Sequence, residues 1–187
     1  MNTPDEPGPR KLRLFFALWP DGATRSHLSV ATAAAVARVD GQPVPAAKFH
    51  VTLAFLGAVP GQTFVHLVEA GGRDRHPGVE LVFDRLKYWR KAQVLVAMPS
   101  RIPKAAAAVV DRLWARLEPL GFVRELRPWQ AHLTLVRRVR RPPPGDLHID
   151  IARFGRPGAA QWKLALVESV THAEGPRYKP LAEWPLG

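Results

Sequence analysis

The sequence predicts a mixed chain of strands and helices, arranged as two similar lobes that face one another across a shared cleft. Three observations carry this expectation. A tetrapeptide occurs twice, as His50-Val51-Thr52-Leu53 and as His132-Leu133-Thr134-Leu135, so the two histidines stand 82 positions apart. A strand-helix-strand order surrounds each copy, and the two units, residues 11–57 and 92–138, recur at an offset of 80 to 82. Such a period is too long for a solenoid and suits a pair of lobes within one domain spanning 1–187. With seven His and seven Thr in the chain, a His-x-Thr-Leu match arises by chance in roughly 0.03 copies per chain of this composition, so two copies mark a duplication.

The elements follow in order. Residues 12–19 are aliphatic and aromatic, which predicts a strand, and Pro20-Asp21-Gly22 closes it. The Ala-rich stretch 23–39 lacks breakers and follows Asp21, a residue suited to capping, which predicts a helix. The first motif strand comes next. The second unit repeats the order with a strand at 93–99 and a helix at 102–120. In that helix Val109, Val110, Leu113, Trp114, Leu117 and Leu120 form one apolar stripe, with Gly121 just beyond its end. Further strands are expected at 79–83, 162–170 and 177–183, and a short helix at 62–70.

The 27 Lys and Arg against 16 Asp and Glu leave a formal charge of +11, which favours an anionic partner such as RNA, DNA, a nucleotide or an acidic surface. Arg, Ala and Pro are abundant throughout, so composition alone produces much of that balance. The absence of cysteine excludes a disulfide framework, a thiolate zinc site and a cysteine nucleophile. Residues 1–10 are acidic and proline-rich, and the apolar run 12–19 is interrupted by Arg13; neither a signal peptide nor a membrane span is expected, which makes the cytoplasm the default.

Strand alternation says where the motif side chains point. His50 and Thr52 share one face while Val51, Leu53 and Phe55 share the other, and His132 and Thr134 oppose Leu133 and Leu135 in the same way. On this reading Phe55 goes to the core, the alternative for Phe55, as for Tyr88 and Trp89, being to stack on a base. Imidazole titrates near neutrality, so two of them can divide the work of general base and general acid at a phosphodiester. A hydroxyl two residues along the same face can donate to a non-bridging phosphate oxygen, which is the role expected of Thr52 and Thr134. Arg137 can add a cationic donor only if a twist or bulge brings it round from the core face. A metal site is not expected, because each motif supplies one His and no Cys, Asp or Glu flanks it. His27, His66, His76, His148 and His172 lack matching neighbours, which leaves them surface or structural roles. The run Arg137 to Arg141 before Pro142-Pro143-Pro144 reads as a basic, extended loop.

These residues resemble the two-histidine phosphoesterase superfamily, and in detail its RNA 2′,3′-cyclic phosphodiesterases, also described as 2′-5′ RNA ligases. The resemblance runs over nearly the whole chain. It includes Arg13-Leu14-Phe15-Phe16-Ala17-Leu18, the long stretch Phe49 to Gly57, His132 to Arg137, Gly175-Pro176-Arg177-Tyr178 and Trp184-Pro185-Leu186. It implies an α+β, bilobal fold with two antiparallel sheets around a central cleft, and hydrolysis of a terminal 2′,3′-cyclic phosphate to a 2′-phosphate without metal or cofactor. It further implies His50 and His132 as catalytic residues, with Thr52, Thr134 and Arg137 on the phosphate. The expected partners are RNA with 2′,3′-cyclic phosphate ends or nucleoside 2′,3′-cyclic phosphates, acted on by a monomer with no membrane association. Two other activities use the same residues or the same charge: 2′-5′ ligation of tRNA halves, and RNA binding without catalysis. The second motif departs from many relatives in being preceded by Trp129-Gln130-Ala131, where they carry proline directly before the histidine.

Overall fold

A computed structural model describes residues 11–73, 75–149, 162–172 and 175–187. Residues 1–10, on which the expectation about a signal peptide rests, lie outside that set. Two four-stranded antiparallel sheets carry the architecture. The first has the order β3 (Val51–Pro60), β1 (Lys11–Pro20), β7 (Trp162–His172), β8 (Gly175–Pro185). The second has the order β2 (Gln42–Pro43), β6 (Leu133–Arg137), β5 (Val94–Met98), β4 (Arg85–Trp89). Each motif strand, β3 or β6, pairs with the strand that opens its unit, β1 or β5, so the sequence repeat is matched in sheet order.

The central position of β1 explains its composition. Leu14, Phe16 and Leu18 point to the main core between sheets and helices, while Phe15, Ala17 and Trp19 point the other way and form a small second cluster with Ala165 and Val167. A strand covered on both faces has no place for polar alternation. Helix α1 (Gly22–Ala37) starts where Asp21 accepts a hydrogen bond from the Thr24 amide at 2.7 Å, satisfying one of the orphan donors of the first turn. Helix α2 spans Phe64–Gly72, and α3 spans Lys104–Leu117. The stripe of α3 is buried as the spacing predicted from Val109 through Leu117, each large side chain contributing about 1.5–3 kcal/mol by leaving water, whereas Leu120, beyond the helix, is exposed. The last predicted turn of α3, Glu118–Leu120, tightens into a 3-10 turn containing Pro119, and Gly121 follows with φ 87°.

The lobes are tied together. β2, which belongs in sequence to the first unit, pairs with β6 of the second sheet, and the Val44 amide donates to the Leu135 carbonyl at 2.8 Å. Gly41 permits this approach, since a Cβ there would stand 2.7 Å from Val136 and 2.9 Å from the Arg137 carbonyl oxygen.

Residues 79–83 are not a strand. Val79, Leu81 and Phe83 are buried in alternation, but the segment joins no ladder, and the paired strand is β4 just after it. Alternating burial reports an extended chain and says nothing about a hydrogen-bonding neighbour. Among the described residues no helix is long and apolar enough to cross a membrane.

Candidate active site

Each motif histidine is anchored in the same way. The Nδ1–H of His50 donates to the Lys48 carbonyl at 2.7 Å, and the Nδ1–H of His132 donates to the Gln130 carbonyl at 2.9 Å. A carbonyl only accepts, so the proton must sit on Nδ1 and Nε2 is left to exchange protons with a ligand. In the first motif the carbonyl is presented by a 3-10 turn, Ala46–Lys48, directly before β3. The i to i−2 anchoring extends the duplication beyond the tetrapeptide to backbone geometry.

The surroundings of the two rings differ. His50 lies on the second apolar cluster: its ring centroid is 5.1 Å from Phe15, 5.8 Å from Trp19 in a stacked arrangement, and 5.0 Å from Tyr178 edge-on. His132 has Trp89 of β4 at 4.5 Å. Burial accordingly favours the neutral imidazole at both. His50 is pushed down to about 4, chiefly by desolvation and further by the charges of Arg137 and His132, against the opposing hydrogen bond to Lys48. His132 is lowered by desolvation and by Arg137, against its hydrogen bond to Gln130. The charge of Arg137 thus bears on both imidazoles, and that of His132 on His50.

Thr52 and Thr134 are half-buried on the histidine side of their strands. Thr52 pairs with Ala17, on the same face as Phe15 and Trp19, and Thr134 pairs with Val96.

Two bulges decide what comes next. In the β1–β3 ladder Ala17 pairs with Thr52 and Phe16 with Ala54, so Leu53 is an extra residue; in the β5–β6 ladder Val96 pairs with Thr134 and Leu95 with Val136, so Leu135 is extra. Each extra residue stands three places after its histidine and reverses the alternation beyond it. Leu53 and Ala54 are both buried, as are Leu135 and Val136, and the fifth residue after each histidine swings out. Arg137 is therefore exposed on the Thr134 side, by the bulge that strict alternation required. Phe55 corrects the expectation that it packs inward. It is 51% exposed, with the Arg13 guanidinium 4.7 Å above its ring.

A cleft of about 530 Å³ opens beside these groups, bounded by Thr52, Phe55, Trp89, Trp129 and His132 among others. Trp129 closes one wall by donating its indole N–H to the Thr52 carbonyl at 2.8 Å. The sequence reading assigned no site role to Phe15, Trp19, Tyr178 or Trp129. Tyr178 lies in Gly175-Pro176-Arg177-Tyr178 and Phe15 in Arg13-Leu14-Phe15-Phe16-Ala17-Leu18, both stretches that carry the resemblance, and Trp129 stands where the second motif departs from it; Trp19 is indistinguishable in sequence from a core aromatic. The remaining histidines stay apart from the cleft: His76 is buried with Nε2 on the Gly71 carbonyl at 2.7 Å, and His27, His66, His148 and His172 are exposed. Among the described residues no three His, Asp or Glu side chains gather as a metal site would need.

The model of the family described as LigT-like phosphoesterases matches residues 19–96. The RNA 2′,3′-cyclic phosphodiesterase of Escherichia coli K12 is 29% identical over 183 residues, which cover 93% of this chain and 96% of that protein. The crystal structure of E. coli LigT complexed with 3′-AMP superimposes with a TM-score of 0.73 at 28% identity, covering 94% of this chain and 98% of that one. The chain is thus similar to the LigT-like phosphoesterases in sequence and in fold. It has the bilobal α+β fold that the resemblance implied, with antiparallel sheets and the helices packed against them. The fold alone extends further, to TT0787 of Thermus thermophilus, with a TM-score of 0.71 at 24% identity over 94% of this chain and 98% of that one.

Proposed function

We propose that this chain is a metal-independent RNA 2′,3′-cyclic phosphodiesterase that hydrolyses a terminal 2′,3′-cyclic phosphate to a 2′-phosphate. The observation that carries this reading is the matched pair of Nδ1-anchored imidazoles, each with a threonine two residues on and Arg137 acting on both. The E. coli relative named for this activity supports it over most of both chains.

In the reaction, water attacks phosphorus as the bond to O3′ breaks. One imidazole Nε2 takes the proton from water and the other gives a proton to O3′, leaving a 3′-hydroxyl and a 2′-phosphate. Thr52, Thr134 and Arg137 hold the non-bridging oxygens as charge builds on them. The exposed ring of Phe55 offers a stacking surface for the base beside the reacting ribose.

The test is a defined oligonucleotide with a 2′,3′-cyclic end, incubated with chelator present. The expected product is the 2′-phosphate; an unchanged end, or a 3′-phosphate as main product, overturns the reading. His50→Ala and His132→Ala are each expected to lower turnover by at least ~10²-fold.

A further inference from the structure

The cleft extends past the reacting groups. From Thr52 and His132 it runs between the β4–β5 turn and the segment 122–131, where Lys91, Arg124 and Arg127 stand on its rim. These cations are not the ones that bear on the chemistry: the cation that depresses both imidazoles is Arg137. Lys91, Arg124 and Arg127 line this cleft, and Arg137 does not.

A nucleoside 2′,3′-cyclic phosphate carries one anionic group, and that group belongs at the histidines. It makes no use of the cations along the cleft. A polynucleotide end carries a second anion, the phosphodiester on the 5′ side of its last nucleotide. The volume, about 530 Å³, falls in the ~300–1,000 Å³ span of sites that engulf whole ligands. Val123, 88% exposed on the same segment, gives a base or ribose an apolar surface between the charges.

The rim is not purely basic. Glu125 also lines it and pairs with Arg127 at 3.1 Å, and Arg124 pairs with Asp111 at 2.8 Å. Both pairs are solvent-exposed, and exposed pairs contribute only about 0–1 kcal/mol, so either arginine can turn to a phosphate at small cost.

We propose that this outer part of the cleft is a subsite for the nucleotide immediately 5′ of the cyclic-phosphate terminus, with Lys91 and Arg127 on the intervening phosphodiester. The inference rests on the phosphodiesterase reading and adds that a single-stranded RNA end, rather than a free nucleoside cyclic phosphate, is the preferred substrate.

The experiment is equilibrium binding of two product-like probes, a short single-stranded oligoribonucleotide ending in a 2′-phosphate and the matching nucleoside 2′-phosphate. The oligonucleotide is expected to bind at least ~10-fold more tightly, the effect of one stacked base or one phosphate contact. Its affinity is expected to fall more steeply with salt, by about 0.7 in logarithmic slope per phosphate held. In the Lys91→Ser/Arg127→Ser double variant the ratio of the two affinities should collapse toward one, and residual nucleoside 2′-phosphate binding reports that the variant is folded. A ratio near one in the native chain, or a ratio that survives the double substitution, overturns the subsite. Because binding needs no turnover, failure to hydrolyse cyclic ends would sink the phosphodiesterase reading while leaving this measurement decisive.

Discussion

The indole N–H of Trp129 donates to the backbone carbonyl of Thr52 across 2.8 Å, joining the segment before the second motif to the strand of the first. The same segment presents the Gln130 carbonyl that orients His132. One side chain thus ties the two motif segments to each other. Trp129→Phe keeps an aromatic wall and removes the donor. A neutral hydrogen bond contributes about 0.5–1.5 kcal/mol, so kcat is expected to fall about 2- to 10-fold, with KM moving less. Steady-state kinetics beside a thermal melt would check this; an unchanged kcat, or a loss explained by unfolding, would remove the positioning role.

The partial burial of both imidazoles sets the sign of two pH dependences. An unfolded imidazole titrates near 6.5, whereas folded His50 sits at about 4. Between these values the unfolded chain binds more protons, so stability is fully present above about pH 6.5 and is lost as pH falls toward 4. His50→Gln should flatten the decline in urea midpoint between pH 7 and 4.5 relative to native. In the proposed mechanism the active form has one neutral and one protonated imidazole. With both lowered in the free protein, the profile of kcat/KM is expected to peak below about pH 6.5. A bound phosphate opposes the depression, so the kcat profile should lie to its alkaline side. A kcat/KM maximum above pH 7.5 would contradict the assignment.

Phe55 and Arg137 occupy equivalent places, each the fifth residue after its histidine and each turned outward by a bulge at the third. Their chemistry predicts different defects. Arg137→Ala removes a charged donor that matters most as charge develops, and should lower kcat about 10²-fold. Phe55→Ala removes a stacking surface and should raise KM, with about a 10-fold loss in kcat/KM, while Phe55→Trp should restore it. Equal effects of Phe55→Ala on an oligonucleotide and on a cyclic phosphate lacking a base would show that the ring does not meet a base.

The same bulges explain what was and was not legible in the sequence. The histidines and threonines lie before the extra residue, where strict alternation holds, so their common face could be read from spacing alone. Phe55 lies after it, and the rule that placed His50 and Thr52 correctly misplaced Phe55. Register shifts are set by the partner strand, here β1 for Leu53 and β5 for Leu135, and a motif read by itself does not contain its partner. The amphipathic stripe of α3 was legible because helical periodicity is local, whereas the pairing of β2 with β6 joins residues nearly a hundred positions apart and leaves no local trace. The aromatic bed under His50 was hidden for another reason: Phe15 and Trp19 alternate with core residues in a strand apolar on both faces, so nothing separated site from core.

One further prediction concerns the scaffold rather than the cleft. Gly71 and Gly72 end α2 against the indole of Trp184 on β8, and a Cβ on Gly71 would overlap that ring. Helix propensity alone favours Ala over Gly by about 1 kcal/mol, so an exposed helix would gain from Gly71→Ala. Here the added methyl must displace a large ring packed on the core, and overpacking of this kind costs about 1–3 kcal/mol. Gly71→Ala should therefore destabilise the protein by denaturant titration, and Trp184→Leu in the same chain should recover part of the loss by making room. Stabilisation by Gly71→Ala alone would show that the ring moves freely and that α2 and β8 are not locked at this point.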